Sequence, residues 1–471
     1  MLRNLMTAAS ALALAACATG PDYAAPQTPS AAAGKFVAAT SPAVDPLAPV
    51  QGDWWRLYDD PALDQLIADA LAANTDVRVA VARLARARAS LREVRTDRLP
   101  EVGVGAGANY GRLPESQRGP GAPREDWSID AGLEVSYEVD LAGRVTRGIE
   151  AARGDVGAAE ADVEAVRVTV AAETARAYAD AAASAERIAV AERIVALLDR
   201  SLTLTERRRE VGLTTGLDTA RIATLRNQRQ AEIPALAAER DAALFRLATL
   251  TGRAPADLPQ IARERVATLR LDQPIPVGDG AQLLARRPDI RAAERRLAAA
   301  TARIGVATAD LYPRVTLGGS IGSTGPDIGD VFGAGPLRWL LGSLINWSFT
   351  DQARGRARIA GAEADTQAAL AEFDGTVLRS LQETETALSA YARALDRRIA
   401  LKAARDAAER AARIVRAQQR EGQVDSLALL DAERTFAEAE AQLAAIDAGI
   451  ADAQINLFKS LGGGWGTRAA G

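Results

Sequence analysis

Two stretches of this chain, from Arg144 to Val211 and from Arg354 to Glu421, contain no proline and little glycine. Proline and glycine are the residues that interrupt helices, and alanine, the best helix former, dominates both stretches. Each therefore predicts one unbroken helix of about 70 residues, on the order of 100 Å long at a rise of 1.5 Å per residue. Helices of ordinary globular domains run three to four turns, so helices of this length predict something other than one compact core. Composition points the same way. Apolar residues make up 48% of the 471, but aromatics only 4%. A core poor in large side chains suits long helices that approach each other closely through small residues.

The stretches belong to a unit written twice. Asp76, Arg78, Arg83, Leu84, Asp97, Pro100, Val102 and Gly105 recur in order as Asp289, Arg291, Arg296, Leu297, Asp310, Pro313, Val315 and Gly318. The register then slips by three residues and continues: Arg144 corresponds to Arg354, Gly212 to Gly422, and Leu247–Gly252 to Leu457–Gly462. Each half reads as helix, strand, loop, strand, very long helix, turn, helix, an internal duplication. The expected divisions are 1–16, 17–52, 53–277, 278–463 and 464–471. They are a signal peptide, a tether rich in Ala, Pro, Thr and Ser that lies extended on the surface, two repeats and a tail. Pro234 in the first returning helix (about Leu217–Thr251) predicts a kink or an irregular turn.

Between the helices lie two strands per half. Ile129, Ala131, Leu133, Val135, Tyr137 and Val139 alternate with Asp130, Gly132, Glu134, Ser136 and Glu138, the period-two pattern of a strand with one apolar and one polar face. Its partner carries Gly103, Gly105 and Gly107. In the second half the strands are those around Gly318 and Gly319 and roughly Leu340–Phe349. Four strands are too few to close a barrel, and an open edge in lipid leaves backbone groups unpaired. Several chains must combine, with Glu134 and Glu138 facing a wet lumen and the apolar residues facing lipid.

Other chemistries are poorly served. Histidine is absent and cysteine occurs once, which removes Cys/His zinc sites, Ser-His-Asp triads and disulfides within the chain. No GxxxxGK[ST] loop is present, and neither a catalytic constellation nor a metal or other bound cofactor is expected. A net charge of −4 argues against nucleic acid as a partner. At the N-terminus, Arg3 precedes a short apolar run, Leu5 to Ala16, with the charge order of a secretory signal. It ends in Leu14-Ala15-Ala16-Cys17, which resembles a bacterial lipobox. Cleavage there leaves Cys17 as the first mature residue, carrying diacylglycerol and an N-acyl chain, palmitate among them. Ala18 rather than Asp after the cysteine favours passage to the outer membrane.

These features together resemble a known family. The lipobox followed by Gly20-Pro21-Asp22-Tyr23, then Asp53-Trp54-Trp55, Arg287-Pro288-Asp289-Ile290, Leu429-Leu430-Asp431-Ala432-Glu433-Arg434 and Leu461-Gly462-Gly463-Gly464-Trp465, look like the NodT subfamily of TolC-type outer-membrane efflux proteins. The resemblance covers nearly the whole mature chain. It implies a mixed α and β fold in which three copies share a 12-stranded barrel, continued into the periplasm by an α-barrel of long hairpins. It also implies a passive duct, not an enzyme, working with a periplasmic adaptor and an inner-membrane pump of the resistance-nodulation-division type. Drugs or other small solutes are the expected cargo; the alternative is a duct for a protein or peptide secretion system.

The same resemblance places a periplasmic gate at Leu427, Asp431 and Arg434. Many relatives have a second aspartate where this chain has Ala428, so a single acidic ring is expected. From spacing alone, Asp431 and Arg434 read rather as an exposed helical pair of about 0.2–0.5 kcal/mol with no gate role. The hairpin tips, Val211, Gly212 and Leu213 and then Gly422, Gln423 and Val424, are expected to face the adaptor, or to be plain helix turns. The lipobox itself is testable. Cys17→Ala should yield a folded protein that takes up no labelled palmitate and is retained less by membranes; a parent chain without acyl groups would contradict it.

Overall fold

In the computed structural model, the residues described are 18–27, 30–48, 50, 52–112, 114, 116, 118, 120–121, 123–271, 273–331, 337–347 and 351–463. Cys17, Gly464 and Trp465 lie outside them. In chain order the main elements are α1 (Pro61–Ala73), α2 (Thr75–Thr96), β1 (Glu101–Arg112), β2 (Glu125–Val139), α3 (Arg144–Glu210) and α4 (Gly216–Leu250). They continue with α5 (Pro288–Ala309), β3 (Arg314–Gly325), β4 (Leu337–Asn346), α6 (Gln352–Arg420) and α7 (Ser426–Ser460).

The duplication is plain in these lengths. Helices α2 and α5 are each 22 residues, β1 and β3 each 12, and α4 and α7 each 35, while α3 and α6 are 67 and 69. Pro100 and Pro313 follow α2 and α5 by a few residues, as expected where proline bars the preceding residue from helical geometry. Three expectations are refined. Of the kink or irregular turn expected at Pro234, the second is ruled out, because helix α4 runs through that residue; one missing N–H is outweighed by the helical hydrogen bonds on either side. Strand β4 begins at Leu337 rather than Leu340, because its ladder is set by β3, from Ser323↔Leu337 to Arg314↔Asn346. Residues 348–350 lie outside the described set. The loop preceding β4 also carries a one-turn helix, Ile328–Val331.

The described chain divides into two compact units, each drawing on both repeats. The first comprises residues 18–26, 83–160 and 292–374. It holds an antiparallel four-stranded sheet in the order β1-β2-β3-β4, with β1 and β4 at its edges. Gly132 faces Gly322 across β2 and β3. The backbones approach so closely that a Cβ on Gly322 would lie 2.6 Å from the Ala131 carbonyl oxygen, and one on Gly132 would lie 2.9 Å from that of Ile321. Beside the sheet, Leu91, Val145, Ile149 and Ala152 form a small buried cluster.

The second unit comprises residues 27–82, 161–291 and the chain from Gly375 onward, and it holds the main core. Trp54 is 1% exposed and stacks on Phe458 with ring centroids 4.7 Å apart. Around them, alanines 171, 172, 175, 177, 179 and 181 of α3 bring the helices together. Three buried polar groups of this core form a chain of hydrogen bonds. The Tyr58 hydroxyl donates to Gln454, whose amide donates to the Tyr391 hydroxyl. Burial pushes the Tyr58 hydroxyl well above its usual range, so it remains a donor.

The described part of the N-terminal tether is pinned to this core. Phe36 and Val44 are buried in this core, and Val44–Asp45 pairs in parallel with Ile275–Pro276. The Glu385 carboxylate accepts from the backbone N–H groups of Val37 and Ala38 at 2.7 and 2.8 Å. Apolar side chains spaced through the Ala/Pro-rich segment suffice to fold it in.

Gly322→Val forces a Cβ into the β2 backbone and should sharply lower the yield of folded protein from membranes. Gly105→Val, where a Cβ meets nothing within 4 Å, should leave that yield near wild type. In the core, Phe458→Ala should destabilise the fold by about 3–5 kcal/mol, read as a lower denaturation midpoint in tryptophan fluorescence.

Candidate channel wall and gate

Directly paired residues of a sheet share a face, so the register assigns each side chain. One face carries Val102, Val104 and Tyr110 of β1, Trp127, Leu133 and Val135 of β2, Leu317 and Ile321 of β3, and Trp339, Leu341 and Ile345 of β4. The opposite face carries glycines 103, 105, 107, 132, 318, 322 and 342 with Asp130, Glu134, Ser136, Thr316 and Ser320. Two leucines of β4, Leu340 and Leu344, break the polar character of that second face. The apolar face is bare: Trp339 is 74% exposed and Leu341 79%. A contiguous apolar surface of this kind marks a contact with lipid or protein.

The two expected lumen carboxylates differ. Glu134 lies on the polar face between Gly103 and Ser320. Glu138, on the same face, is tied to Arg144 by two hydrogen bonds of 2.8 Å and is not a free charge. The Ala18–Tyr23 segment is fastened to the same unit. Thr19 donates through N and Oγ1 to the Ala142 carbonyl, and Arg147 donates to Asp22 at 2.6 Å. Tyr23 donates to Glu294. Gly20 lies so close to Gly305 that a Cβ would come within 2.5 Å of its Cα. That contact accounts for the glycine of the Gly20-Pro21-Asp22-Tyr23 motif.

The two hairpin tips are built alike. Gly212 and Gly422 have φ of +76° and +74°, a region that favours glycine. The following residue turns back to the helix end: the Leu213 N–H donates to the Arg208 carbonyl and the Gln423 N–H to the Gln418 carbonyl, at 2.8 and 2.9 Å. This Schellman arrangement satisfies carbonyls the helix leaves open. The next helices start with side-chain caps, Thr215 with Asp218 in a capping box and Asp425 accepting from the Ala428 N–H. Val211, Gly212, Leu213, Gly422 and Gln423 are exposed, and Val424 is half-buried. The Ala428 N–H is thus the donor that the Asp425 cap satisfies at the start of α7.

Leu427, Asp431 and Arg434 lie along one exposed stripe of α7, with Leu427 52% exposed. Arg434 donates to Asp431 at 3.0 Å. Behind this stripe, and not anticipated from the sequence, Glu433 is 3% exposed and accepts two hydrogen bonds from Arg416, at 2.6 and 2.7 Å. Its signal was present: a lone acid within the apolar stripe Leu429, Phe436 and Ala437. Across the interface between hairpins of this unit, Arg208 donates to the Gln419 carbonyl at 2.7 Å.

The profile of the outer membrane efflux protein family matches residues 66–253 and 280–463. The antibiotic efflux pump outer membrane protein ArpC of Pseudomonas putida is 30% identical over 99% of this chain and 96% of its own length. Outer membrane protein OprJ of Pseudomonas aeruginosa is 32% identical over 97% of this chain and 94% of its own. Among solved structures, the outer-membrane channel OprN superposes with a TM-score of 0.89 at 37% identity, covering 95% of this chain and 100% of that one. The open-state outer membrane channel MtrE of Neisseria gonorrhoeae gives 0.83 at 28% identity, covering 95% and 98%. With its duplicated helical hairpins, its two-faced sheet and these relatives, the chain belongs to the outer membrane efflux protein family and has the TolC-type channel fold.

Proposed function

We propose that three copies of the chain close one 12-stranded barrel from their four-stranded sheets and form a passive outer-membrane duct for drugs and other small solutes. One observation carries this reading: a sheet with an exposed apolar face and two edges left open by the described strands. In hydrocarbon such edges must be paired, and identical neighbours supply matching strands. The glycine-rich polar face then lines the lumen and the apolar face meets lipid. Relatives whose names specify antibiotic efflux, toluene efflux and pyoverdine export favour small solutes as cargo. They also favour work with an adaptor and an inner-membrane pump, of the resistance-nodulation-division type in this proposal, with the tips around Gly212 and Gly422 as the adaptor's landing points.

Acylation of Cys17 fits the same arrangement. Ala18, the residue after it in the sequence, packs at Gly143, between the end of β2 and the start of α3. Two or more acyl chains hold such a protein stably where one is marginal. The proposed gate is the Leu427, Asp431 and Arg434 stripe, repeated around the trimer axis. Leucine rings exclude water, and an acidic ring at close quarters constricts the path and favours cations.

Planar-bilayer recording tests both parts. Purified protein should conduct, and Asp431→Ala should raise the single-channel conductance by about twofold or more and lower cation preference. No current from the protein or from the variant would end the channel reading. Deleting the gene should sensitise cells to exported drugs; loss of a secreted protein instead would move the cargo to another class.

A further inference from the structure

Two stripes run along the first turns of α7. Leu427, Asp431 and Arg434 form the exposed one; Leu429, Glu433, Phe436 and Ala437 form the buried one. They are offset by two residues, about 200° around a helix of 3.6 residues per turn, so the angle that sets one sets the other. On the α6 side the apolar packing defines that angle weakly: Phe436 clusters with Ala408 and Ala412, and methyl groups offer few ridges to resist rotation of one helix against another. Larger side chains, Leu197, Val190, Ile194, Leu198 and Leu225, pack on the side of α7 that faces α3 and α4.

The polar anchor there has the opposite property. The planar Arg416 guanidinium meets both Glu433 oxygens through Nε and Nη2, a fork that restrains direction as well as distance. One turn on, the guanidinium carbons of Arg405 and Arg416 lie 5.8 and 5.9 Å from the Phe436 ring centroid. Replacing a buried ion pair by an apolar pair of similar volume is often neutral or stabilising, so stability alone does not account for this one.

We propose that Arg416 and Glu433 are positioning residues: their fork sets the rotational angle of α7 and so aims Leu427, Asp431 and Arg434. The proposal rests on the gate reading for its consequence but not for its geometry, and the test separates the two. Spin labels are placed on Ala403→Cys in α6 and Asp431→Cys in α7 of the full chain carrying Cys17→Ala, and their separation is measured by pulsed electron resonance. With the fork present, one narrow distance distribution is expected. The double variant Arg416→Met/Glu433→Leu should keep its helical circular dichroism and melting temperature while the distribution widens roughly twofold. Arg416→Lys, which keeps the charge but removes the fork, should widen it in the same direction and covers the case in which the double variant does not fold. A distribution as narrow as the parent's in either folded variant overturns the proposal. In unlabelled channels the double variant should show several conductance levels where the parent shows one. If Asp431→Ala leaves conductance unchanged while the label distribution still widens, the gate reading falls and the positioning role stands.

Discussion

Backbone N–H and C=O groups at the edge of a sheet have no water to turn to in hydrocarbon, and that requirement governs the rest of this molecule. The sheet of β1–β4 ends on β1 and β4, and each carries an apolar face that its own unit leaves bare. Its opposite face is cleared by glycines. At Gly132 and Gly322 the backbones themselves come together, so glycine is demanded by contact; at Gly103 and Gly105 a side chain would meet nothing. The same residue type therefore serves strand packing in one place and open space in another.

The helices meet a different demand. Alanine lets long helices approach closely, yet it leaves their angular setting loosely specified. The chain answers with isolated, strongly directional contacts. Arg416 grips Glu433, and in the main core Arg270 and Arg398 converge on the buried carboxylate of Asp447. The stacked Trp54 and Phe458 add bulk where six alanines of α3 converge. The tips add the third device: glycine in the left-handed region, then a side-chain cap, which ends one helix and starts the next within five residues.

Much of this was legible in order along the chain. The proline-free stretches gave α3 and α6 almost to the residue, and the paired Asp, Arg and Pro matches revealed the duplication, because helix propensity and proline's missing N–H act locally. The alternation from Ile129 to Val139 exposed a two-faced strand for the same reason. Pro234 does not end helix α4, since one lost hydrogen bond does not break a helix of 35 residues. That Phe36 and Val44 pin the tether was not legible in its composition, because burial is decided by what lies opposite.

By itself the sequence determined the elements, their repetition and the need for more strands than one chain supplies, all consequences of short-range sterics and of counting. Only the tertiary structure decided which side chains meet. That Glu433 faces Arg416 while Asp431 faces outward, and that Gly20 had to be glycine because Gly305 lies against it, depends on contacts between residues far apart along the chain. No local rule contains such contacts, because they arise only when separate helices and strands settle at one distance and one angle.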